Sequence, residues 1–371
     1  MYICKKDILR KALLYINILF AVFLILAYLA YYISPAVNYI PAFFGLTYYI
    51  WVGINILFVP VWLFVKLRYS LLPLGILALG TPLHMKQFAT HFSIGDTAPD
   101  GYFKFMSYNV QLFGLYNWKD NKAHRDEMFR FIRREDPDII CFQEYFYEET
   151  NYFETTDTLR QLLDARNVHF GAASSLHGTH HWGVATFSRW PIVGKGQIKF
   201  PRSKGNICIY TDVRIKQDTL RIFNVHFESN HLHTENLERI AAGDSTAQLM
   251  AFDLLQALRK GYVKRAAQAD TVAAAIAASP HPVIICGDFN DMPLSYTYKK
   301  ISHNLTDAFL NAGSGFGFSY AGRIPFLRID YIFHSKDIDS RLFRVVPKKL
   351  SDHYPVSAWL KIKENEKDSI Q

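Results

Sequence analysis

An uncharged N-terminal stretch constrains this chain more than any other feature. No charged residue occurs from Ala12 to Val65. Its first part, residues 12–33, matches the run of about 20 apolar residues with which a helix crosses a bilayer. A signal peptide would have a shorter apolar core and a cleavage site, whereas Pro35 follows here. A buried helix of a soluble protein is the remaining alternative, and the length of the run argues against it. We predict a membrane-spanning helix over residues 12–33.

Two more apolar runs follow. The run at about 42–65 contains Trp51 and Trp62, which suit membrane interfaces or helix packing. The run at about 69–85 is shorter and is interrupted by proline and glycine. It could span, re-enter or lie at the interface, and we expect it to span because its 17 residues reach the lower limit for crossing. Residues 1–86 are therefore predicted to form a multi-pass anchor, with the lipid bilayer as partner.

Positive charges beside these runs predict the orientation of the anchor. They are Lys5, Lys6, Arg10, Lys11, Lys66 and Arg68. Because basic residues favour the cytoplasmic side, the N-terminus and the loop around residues 66–68 are predicted to be cytoplasmic. Three spans then place the rest of the chain outside the cytoplasm, whereas two spans leave it inside.

Composition narrows the remaining possibilities. The net charge of +8 is typical of chains that bind anions, but part of the excess flanks the apolar runs and no basic arm is present. The cysteines have no paired spacing that would indicate a disulfide framework or a zinc site; they are Cys4, Cys141, Cys208 and Cys286. Three of them lie in strand-like apolar runs, where cysteine acts as a small hydrophobe.

Beyond the anchor, the sequence predicts a soluble domain. Residues 87–100 are a short polar linker, 101–363 contain many strand-like runs separated by turns and helices, and 364–371 form a charged tail. Strands outnumber helices, and many are apolar runs without strict alternation, which is typical of sheets covered on both faces. The pattern favours an α/β fold with two packed sheets and outer helices.

Polar residues follow the apolar runs at the points where the predicted strands end. They are Asn109, Glu144, His226, Asp288, Asn290, Asp330, Asp352 and His353. Each alone has an ordinary structural explanation: a turn residue for Asn109, a core histidine for His226, or a Gly/Asp/Asn turn around Asp288. Binding groups nevertheless gather on loops at the ends of a rigid scaffold. Their order together therefore carries the functional hypothesis.

That order resembles the endonuclease/exonuclease/phosphatase superfamily, which has the deoxyribonuclease I-like fold. The resemblance covers about residues 103–362 and rests on MSYNVQLF, DIICFQEY, GVATFSRWPI, FNVHFES, VIICGDFND, RIDYIF and SDHYPV. It implies a four-layer sandwich of two packed mixed β-sheets flanked by helices, in a membrane-anchored member of the bacterial type. It also implies Mg²⁺- or Mn²⁺-dependent hydrolysis of a phosphate ester by metal-assisted attack of water.

The resemblance assigns the metal to three residues. Glu144 is the principal ligand, Asn109 helps to hold the ion, and Asp352 lies near it. Mg²⁺ prefers oxygen ligands and keeps several waters, so one or two carboxylates suffice.

The resemblance assigns the chemistry to five other residues. Asp288 orients or deprotonates the attacking water, and Asn290 steadies the scissile phosphate or the water. His353 contacts a phosphate oxygen, and Asp330 orients His353 by accepting its other N–H. His226 is the candidate acid or phosphate-binding histidine. Such roles supply what phosphate-ester hydrolysis needs, namely a water, charge neutralisation and help for the leaving group.

Several sequence details argue against a DNA-repair enzyme and against the use of nucleoside triphosphates. A histidine at the position of His226 resembles the deoxyribonuclease I, sphingomyelinase and inositol-phosphatase branches, and Gln111 stands where abasic-site repair enzymes often have an acidic residue. The glycine-rich stretch at 313–317 is not followed by Lys-Ser/Thr, so no phosphate loop for nucleoside triphosphates is indicated. Arg323 or Arg328 could contact a substrate phosphate or could be a surface arginine.

The leading hypothesis is a membrane-tethered phosphoesterase that hydrolyses a phosphodiester or a phosphomonoester. A phospholipid head group, an inositol phosphate and a nucleic acid remain open as substrates, and no protein partner is indicated. The alternative is a non-catalytic binding or scaffold protein that retains the fold, which predicts gaps in the residue set. A transporter is disfavoured, because no charged residue lies between Ala12 and Val65.

Overall fold

The computed structural model describes most of the chain. The described residues are 2–91, 100–117, 119–150, 152–201, 203, 205–230, 247–322 and 324–363. The predicted tail at 364–371 and residues 92–99 of the predicted linker lie outside them.

The N-terminal region forms helices α1 (Tyr2–Tyr32), α2 (Ile40–Leu46) and α3 (Tyr48–Val65). Within the described residues, two stretches are long and apolar enough to cross a bilayer: Asp7–Tyr32 within α1, and α3. Only 28% of the most apolar window of the first and 17% of the second is buried, so neither resembles the core helix of a soluble protein. They coincide with the first two predicted spans, except that the second begins after a break at Thr47.

The third predicted span, 69–85, is not one continuous helix, and its crossing of a bilayer stays a prediction. A 3-10 turn, Leu67–Ser70, leads into α4 (Leu71–Leu79), and α5 (Thr81–His84) follows after Gly80. The uninterrupted apolar stretch, Leu67–Leu79, is about 20 Å long at 1.5 Å per residue, whereas the hydrocarbon core measures about 30 Å. Pro82 lies in the first turn of α5, where its missing N–H is tolerated, and prevents a regular continuation of α4.

The interrupted segment nevertheless runs antiparallel to α3. At one end the ring of Tyr69 lies 5.2 Å from that of Trp62, and at the other His84 is hydrogen-bonded to Tyr48. Trp62 also donates its indole N–H to Asn17 of α1 at 2.8 Å. The turn after α3 therefore lies at the far end of the bundle, and α5 lies at the end from which the rest of the chain continues.

The domain contains two six-stranded sheets within the described residues. The first has, in spatial order, β13 (Ile338–Val345), β14 (Val356–Ile362), β2 (Phe103–Asn109), β3 (Ile139–Glu148), β5 (His180–Ser188) and β4 (Asn167–Leu176). The second has β10 (Thr306–Asp307), β12 (Asp330–His334), β9 (Val283–Asp288), β8 (Asp218–His226), β7 (Ile207–Ile215) and β6 (Ile192–Lys199). Both are mixed: β2 pairs with β3 and β8 with β9 in parallel, and the other pairs are antiparallel.

The sheets pack face to face through fully buried apolar side chains, such as Phe105 and Cys141 from the first sheet and Ile284 and Cys286 from the second. Outer helices complete the layers. They are α6 (Asn121–Glu135) and α7 (Thr156–Leu162) on the first sheet, and α8 (Ala247–Ala277) and α9 (Tyr296–Ile301) on the second. The short helix α10 (Ala308–Ala312) joins the core between the sheets. This arrangement confirms the predicted four-layer sandwich.

The start of the predicted linker is part of the packed structure. Strand β1 (Ala89–Thr90) pairs with β11 (Ser314–Gly315), and Gln87 is buried and accepts a hydrogen bond from Tyr49 at 3.0 Å. Residues 87–91 therefore attach the N-terminal helices to the domain and do not form a free connection.

Candidate active site

The strand register brings the predicted site residues to one end of both sheets. In the second sheet His226 is paired with Asp288, and Asp288 is paired with Asp330 on the other side. In the first sheet Asn109 ends β2 beside Gln143, one residue before Glu144. Because the carboxyl ends of the central parallel strands meet here, side chains far apart in sequence converge on one cleft.

Glu144 reaches the cleft through a β-bulge. The pairing of β3 with β5 shifts register between Phe142 and Tyr145, and Glu144 has a positive φ of 48°. Bulges redirect a side chain, and strained backbone of this kind concentrates at functional sites. The Glu144 side chain remains 35% exposed, which leaves its carboxylate accessible from the cleft. Burial raises the pKa of Glu144, and the Asp352 carboxylate raises it further.

The turn that presents Asp288 depends on its neighbours. Gly287 has a φ of 136°, and a Cβ there would lie 1.9 Å from the carbonyl oxygen of Val225 on the adjacent strand. Only glycine therefore lets β9 approach β8 this closely before Asp288. Asn290, two residues later, has a φ of 52° and donates its backbone N–H to Asp288 Oδ1 at 2.8 Å.

Asp288 lies at the centre of the site. Its Oδ2 accepts hydrogen bonds from the side-chain amides of Asn290 and Asn109, each at 3.1 Å. The Asn109 amide also donates to Glu144 Oε1 at 3.2 Å and so links the two carboxylates. Burial raises the pKa of Asp288 to about 6, although the charge of His353 acts in the opposite direction. Asp288 is thus a carboxylate suited to exchanging a proton near neutral pH.

His353 forms a buried pair with Asp330. Its Nδ1–H donates to Asp330 Oδ2 at 2.9 Å, and its Nε2 lies 3.6 Å from Asp288 Oδ2. Burial alone lowers the pKa of His353, but Asp330 and Asp288 outweigh burial and raise that pKa well above its ordinary value. The backbone N–H of Asp330 donates to Ser319 Oγ at 3.0 Å, which helps to hold the pair. The imidazole is therefore a cation directed into the cleft.

His226 differs from His353 in charge. It is 7% exposed, and its Nε2 has no hydrogen-bond partner among the described residues. That nitrogen lies 3.7 Å from Glu144 Oε1 and 3.6 Å from Asp288 Oδ2. Burial lowers the pKa of His226 more than Asp288 raises it, so the ring is neutral. A neutral imidazole nitrogen facing two carboxylates is a suitable metal ligand.

The cleft encloses a cavity of about 210 Å³. Five of the eight predicted residues line it: Glu144, Asp288, Asn290, Asp352 and His353. The other three contact these five directly, so the structure brings the whole predicted set together.

Two groups of side chains in the described residues could hold a metal ion. One comprises Glu144, His226 and Asp288, the other Asp288, Asp330 and His353, with ligand atoms within 4.8 Å of one another in each. The first group fits a divalent cation better, because it combines two carboxylates with the unpartnered nitrogen of His226.

The metal roles predicted for Asn109 and Asp352 stay predictions. The side-chain oxygen of Asn109 accepts the backbone N–H of Gln111 at 3.1 Å, so the oxygen with which it would bind an ion is engaged. Asp352 lines the cavity but belongs to neither group.

Some lining and supporting residues were not predicted. Asn230 donates its amide to the carbonyl of Asn290 at 3.0 Å, and Arg265, fully buried in α8, donates to Asn230 at 2.8 Å. The ring of Tyr320 packs against His353 with centroids 5.5 Å apart. Asn230 lies only four residues after His226, and this proximity weakly indicates a place near the site. No sequence feature near Arg265 indicates its contact with Asn230.

Arg328 does not face this cleft. It is 1% exposed and donates to Asp307 Oδ2 at 2.8 Å and to the carbonyl of Lys86 at 2.9 Å. The suggestion that it contacts a substrate phosphate is therefore replaced by a structural role. Arg323 lies outside the described residues.

Solved structures similar to this chain share its fold. An endonuclease/exonuclease/phosphatase from Beutenbergia cavernae is 16% identical with a TM-score of 0.51, covering 71% of this chain and 72% of that one. A family protein from Bacteroides thetaiotaomicron is 16% identical with a TM-score of 0.51 and 73% and 98% coverage. The human Nocturnin catalytic domain with bound sulfate is 17% identical with a TM-score of 0.50 and 72% and 97% coverage.

Sequence comparisons agree with the fold. No curated protein matches the chain. Residues 10–87 match a domain of unknown function (DUF8431). Residues 106–353 match the Endonuclease/Exonuclease/phosphatase family, and this match spans most of the chain and all eight site residues. The chain therefore belongs to the endonuclease/exonuclease/phosphatase family.

Proposed function

We propose that this chain is a membrane-tethered phosphoesterase that depends on a divalent cation, Mg²⁺ or Mn²⁺. One observation carries the proposal: the buried His353 and the carboxylates of Glu144, Asp288 and Asp352 line one cavity that is large enough for a phosphate group. A non-catalytic scaffold has no need to keep such a costly arrangement of buried charges. The family supplies the reaction class, and the substrate is a phosphodiester or a phosphomonoester.

The cation would be held by Glu144 and Asp288 with the neutral ring of His226. A bound divalent cation supplies positive charge beside the phosphoryl oxygens. The two carboxylates suit Mg²⁺ and Mn²⁺, because both ions prefer oxygen ligands.

The side chains of the cleft provide the rest of the chemistry. Asp288, which accepts hydrogen bonds from Asn109 and Asn290 at the centre of the cluster, orients a water and accepts its proton. His353 places its Nε2–H toward the phosphate and stabilises negative charge there, while Asp330 fixes the ring. Asn290, held by Asp288 and by the carbonyl of Phe227 at 3.0 Å, keeps the turn rigid around the reacting group.

The arrangement of the anchor favours an extracytoplasmic domain. The turn that contains Lys66 and Arg68 lies at the end of the bundle away from the domain, and Arg10, near the start of α1, lies at the same end as Tyr69 of this turn. Basic residues favour the cytoplasmic side. Because the 69–84 segment returns along α3, this orientation does not require it to be a regular helix.

The experiment is hydrolysis of bis(p-nitrophenyl) phosphate and of p-nitrophenyl phosphate by the full chain in detergent micelles. Activity is expected with Mg²⁺ or Mn²⁺, is lost on chelation with EDTA, and returns when the metal is restored. His353→Ala should reduce it by at least about 100-fold. The matched control is His281→Ala, a histidine outside this cleft. Hydrolysis that is insensitive to EDTA, or equal in both variants, would refute the proposal.

A further inference from the structure

We infer that the membrane anchor forms part of the substrate site and that the substrate is a phospholipid, whose head-group phosphate enters the cleft at the bilayer surface. This inference rests on the proposed phosphoesterase function and names the substrate of that same site.

The first observation is the position of Leu46. This residue ends α2, is half-buried, and lines the same cavity as Asp288 and His353. The apolar helix α3 begins two residues later, at Tyr48. The phosphate site therefore lies at the depth where a spanning helix leaves the bilayer, which is the depth of lipid head groups.

The second observation is the division of the cavity into a charged and an apolar wall. The carboxylates and His353 form one wall. The other is formed by Leu46 with Met292, Ile324, Leu327 and Ile329. A ligand that is anionic at one end and apolar at the other matches both walls, because each apolar group removed from water contributes to binding.

The third observation is an exposed aromatic rim beside α3, formed by Phe88, Phe316 and Phe326. These side chains are 41%, 45% and 58% exposed. The rings of Phe316 and Phe88 are in contact, with centroids 5.1 Å apart, and Phe316 also packs on Tyr49 of α3 at 6.2 Å. Exposed aromatic residues next to a spanning helix are typical of the membrane–water interface.

The junction between α2 and the domain is closely packed, which fixes the direction of the cleft. A Cβ on Gly45 would lie 3.0 Å from the carbonyl oxygen of Leu294. The Phe43 ring contacts Tyr262 of α8 with centroids 5.6 Å apart. The cleft therefore stays at the membrane surface and does not swing freely on a linker.

A nucleic acid fits the cleft less well. Binding of a long polyanion depends on lysine and arginine contacts to successive phosphates. Among the described residues that line the cavity there is no lysine or arginine. One phosphate group with an apolar substituent matches the lining, and a strand of DNA or RNA does not.

The test uses the full chain reconstituted in vesicles. The substrates are phosphatidylcholine, phosphatidylethanolamine, phosphatidylglycerol and phosphatidylinositol, each compared with its deacylated glycerophosphate ester, together with plasmid DNA. At least one lipid should be hydrolysed at least about tenfold more efficiently than its deacylated counterpart, and more efficiently than DNA. Preference for DNA or for the deacylated esters would overturn the inference.

Three variants test the role of the anchor. Leu46→Ser should lower the ratio of lipid to deacylated-ester hydrolysis by about tenfold, whereas Ile40→Ser, on the exposed part of the same helix, should leave that ratio unchanged. Ile324 lines the same cavity but belongs to the domain and not to α2. Ile324→Ser should therefore lower the ratio as Leu46→Ser does, and a shared effect shows that misfolding of α2 is not its cause. Unchanged ratios in both cleft variants would overturn the inference.

The same assays separate the two proposals. If bis(p-nitrophenyl) phosphate is hydrolysed but no lipid is preferred, the phospholipid assignment fails and the phosphoesterase function stands. If no phosphate ester is hydrolysed at all, both fail.

Discussion

His353 donates its Nδ1 proton to Asp330 across 2.9 Å, and both side chains are almost fully buried. The other nitrogen of the ring faces Asp288 at 3.6 Å. Asp330 therefore orients the His353 ring through its Nδ1–H and raises the pKa of that ring. In the proposed function it acts through His353, as a positioning residue.

We predict that Asp330→Asn lowers kcat for bis(p-nitrophenyl) phosphate by about 100-fold, with KM changed less than about threefold. The amide removes the negative charge that keeps His353 protonated. Steady-state kinetics, with the folded fraction measured in parallel, test this. The control, Asp218→Asn at the exposed start of β8, should retain the parent kcat. A lower folded fraction with an unchanged kcat per folded molecule would mean that Asp330 is merely structural.

The buried ion pair between Arg328 and Asp307 gives a stability prediction. Arg328→Met should lower the free energy of unfolding by about 3–5 kcal/mol, because it leaves Asp307 buried and without its charged partner. The exposed pair Arg341–Asp339 is the matched control, and Arg341→Met should cost less than about 1 kcal/mol. Denaturant unfolding in micelles, followed by tryptophan fluorescence, measures both. Similar losses in the two variants would contradict the assignment.

His169 gives a prediction about pH. Burial, assisted by Lys195, lowers the pKa of His169 to about 4, and its Nδ1 lies 2.8 Å from Thr211 Oγ1. Since the unfolded state takes up a proton near pH 6.5 and the folded state does not, this residue costs stability progressively as pH falls from about 6.5 to 4. The melting temperature of the parent chain should therefore fall relative to His169→Asn between pH 7 and pH 4.5. A difference that does not change with pH would contradict the prediction.

The proposed orientation predicts where the C-terminus lies. A bacterial alkaline phosphatase fused after Gln371 should be active, because that enzyme folds outside the cytoplasm. A fluorescent protein fused at the same place through the general secretory route should stay dark. The reverse pattern would place the domain in the cytoplasm and remove the positive-inside argument made from Lys66 and Arg68.

Much of the site was predictable, because strand ends are visible in a sequence. Apolar runs that stop at His226, Asp288 and Asp330 predict neighbouring strands, and the register sets these residues side by side. The bulge that turns Glu144 into the cleft was not predictable, because it depends on pairing with β5.

The contributions of distant segments were also not predictable. Leu46 looks like any apolar residue of the anchor, and only the tertiary contact between α2 and the domain shows that it lines the cavity. Arg328 looked like a candidate phosphate ligand because it lies two residues before Asp330. Its partner, Asp307, is 21 residues away, and no local sequence feature indicates the pair.

The most direct test of the central claim is the rate at which Glu144→Ala hydrolyses bis(p-nitrophenyl) phosphate at saturating Mg²⁺, relative to the parent chain. Removing a residue that supports a metal from outside its ligand shell already costs about 10–100-fold, so loss of the proposed principal ligand should leave less than about 1% of the rate. Glu149→Ala, at a half-exposed carboxylate just beyond β3, should retain full activity. A Glu144→Ala rate equal to that of the parent chain would contradict the account.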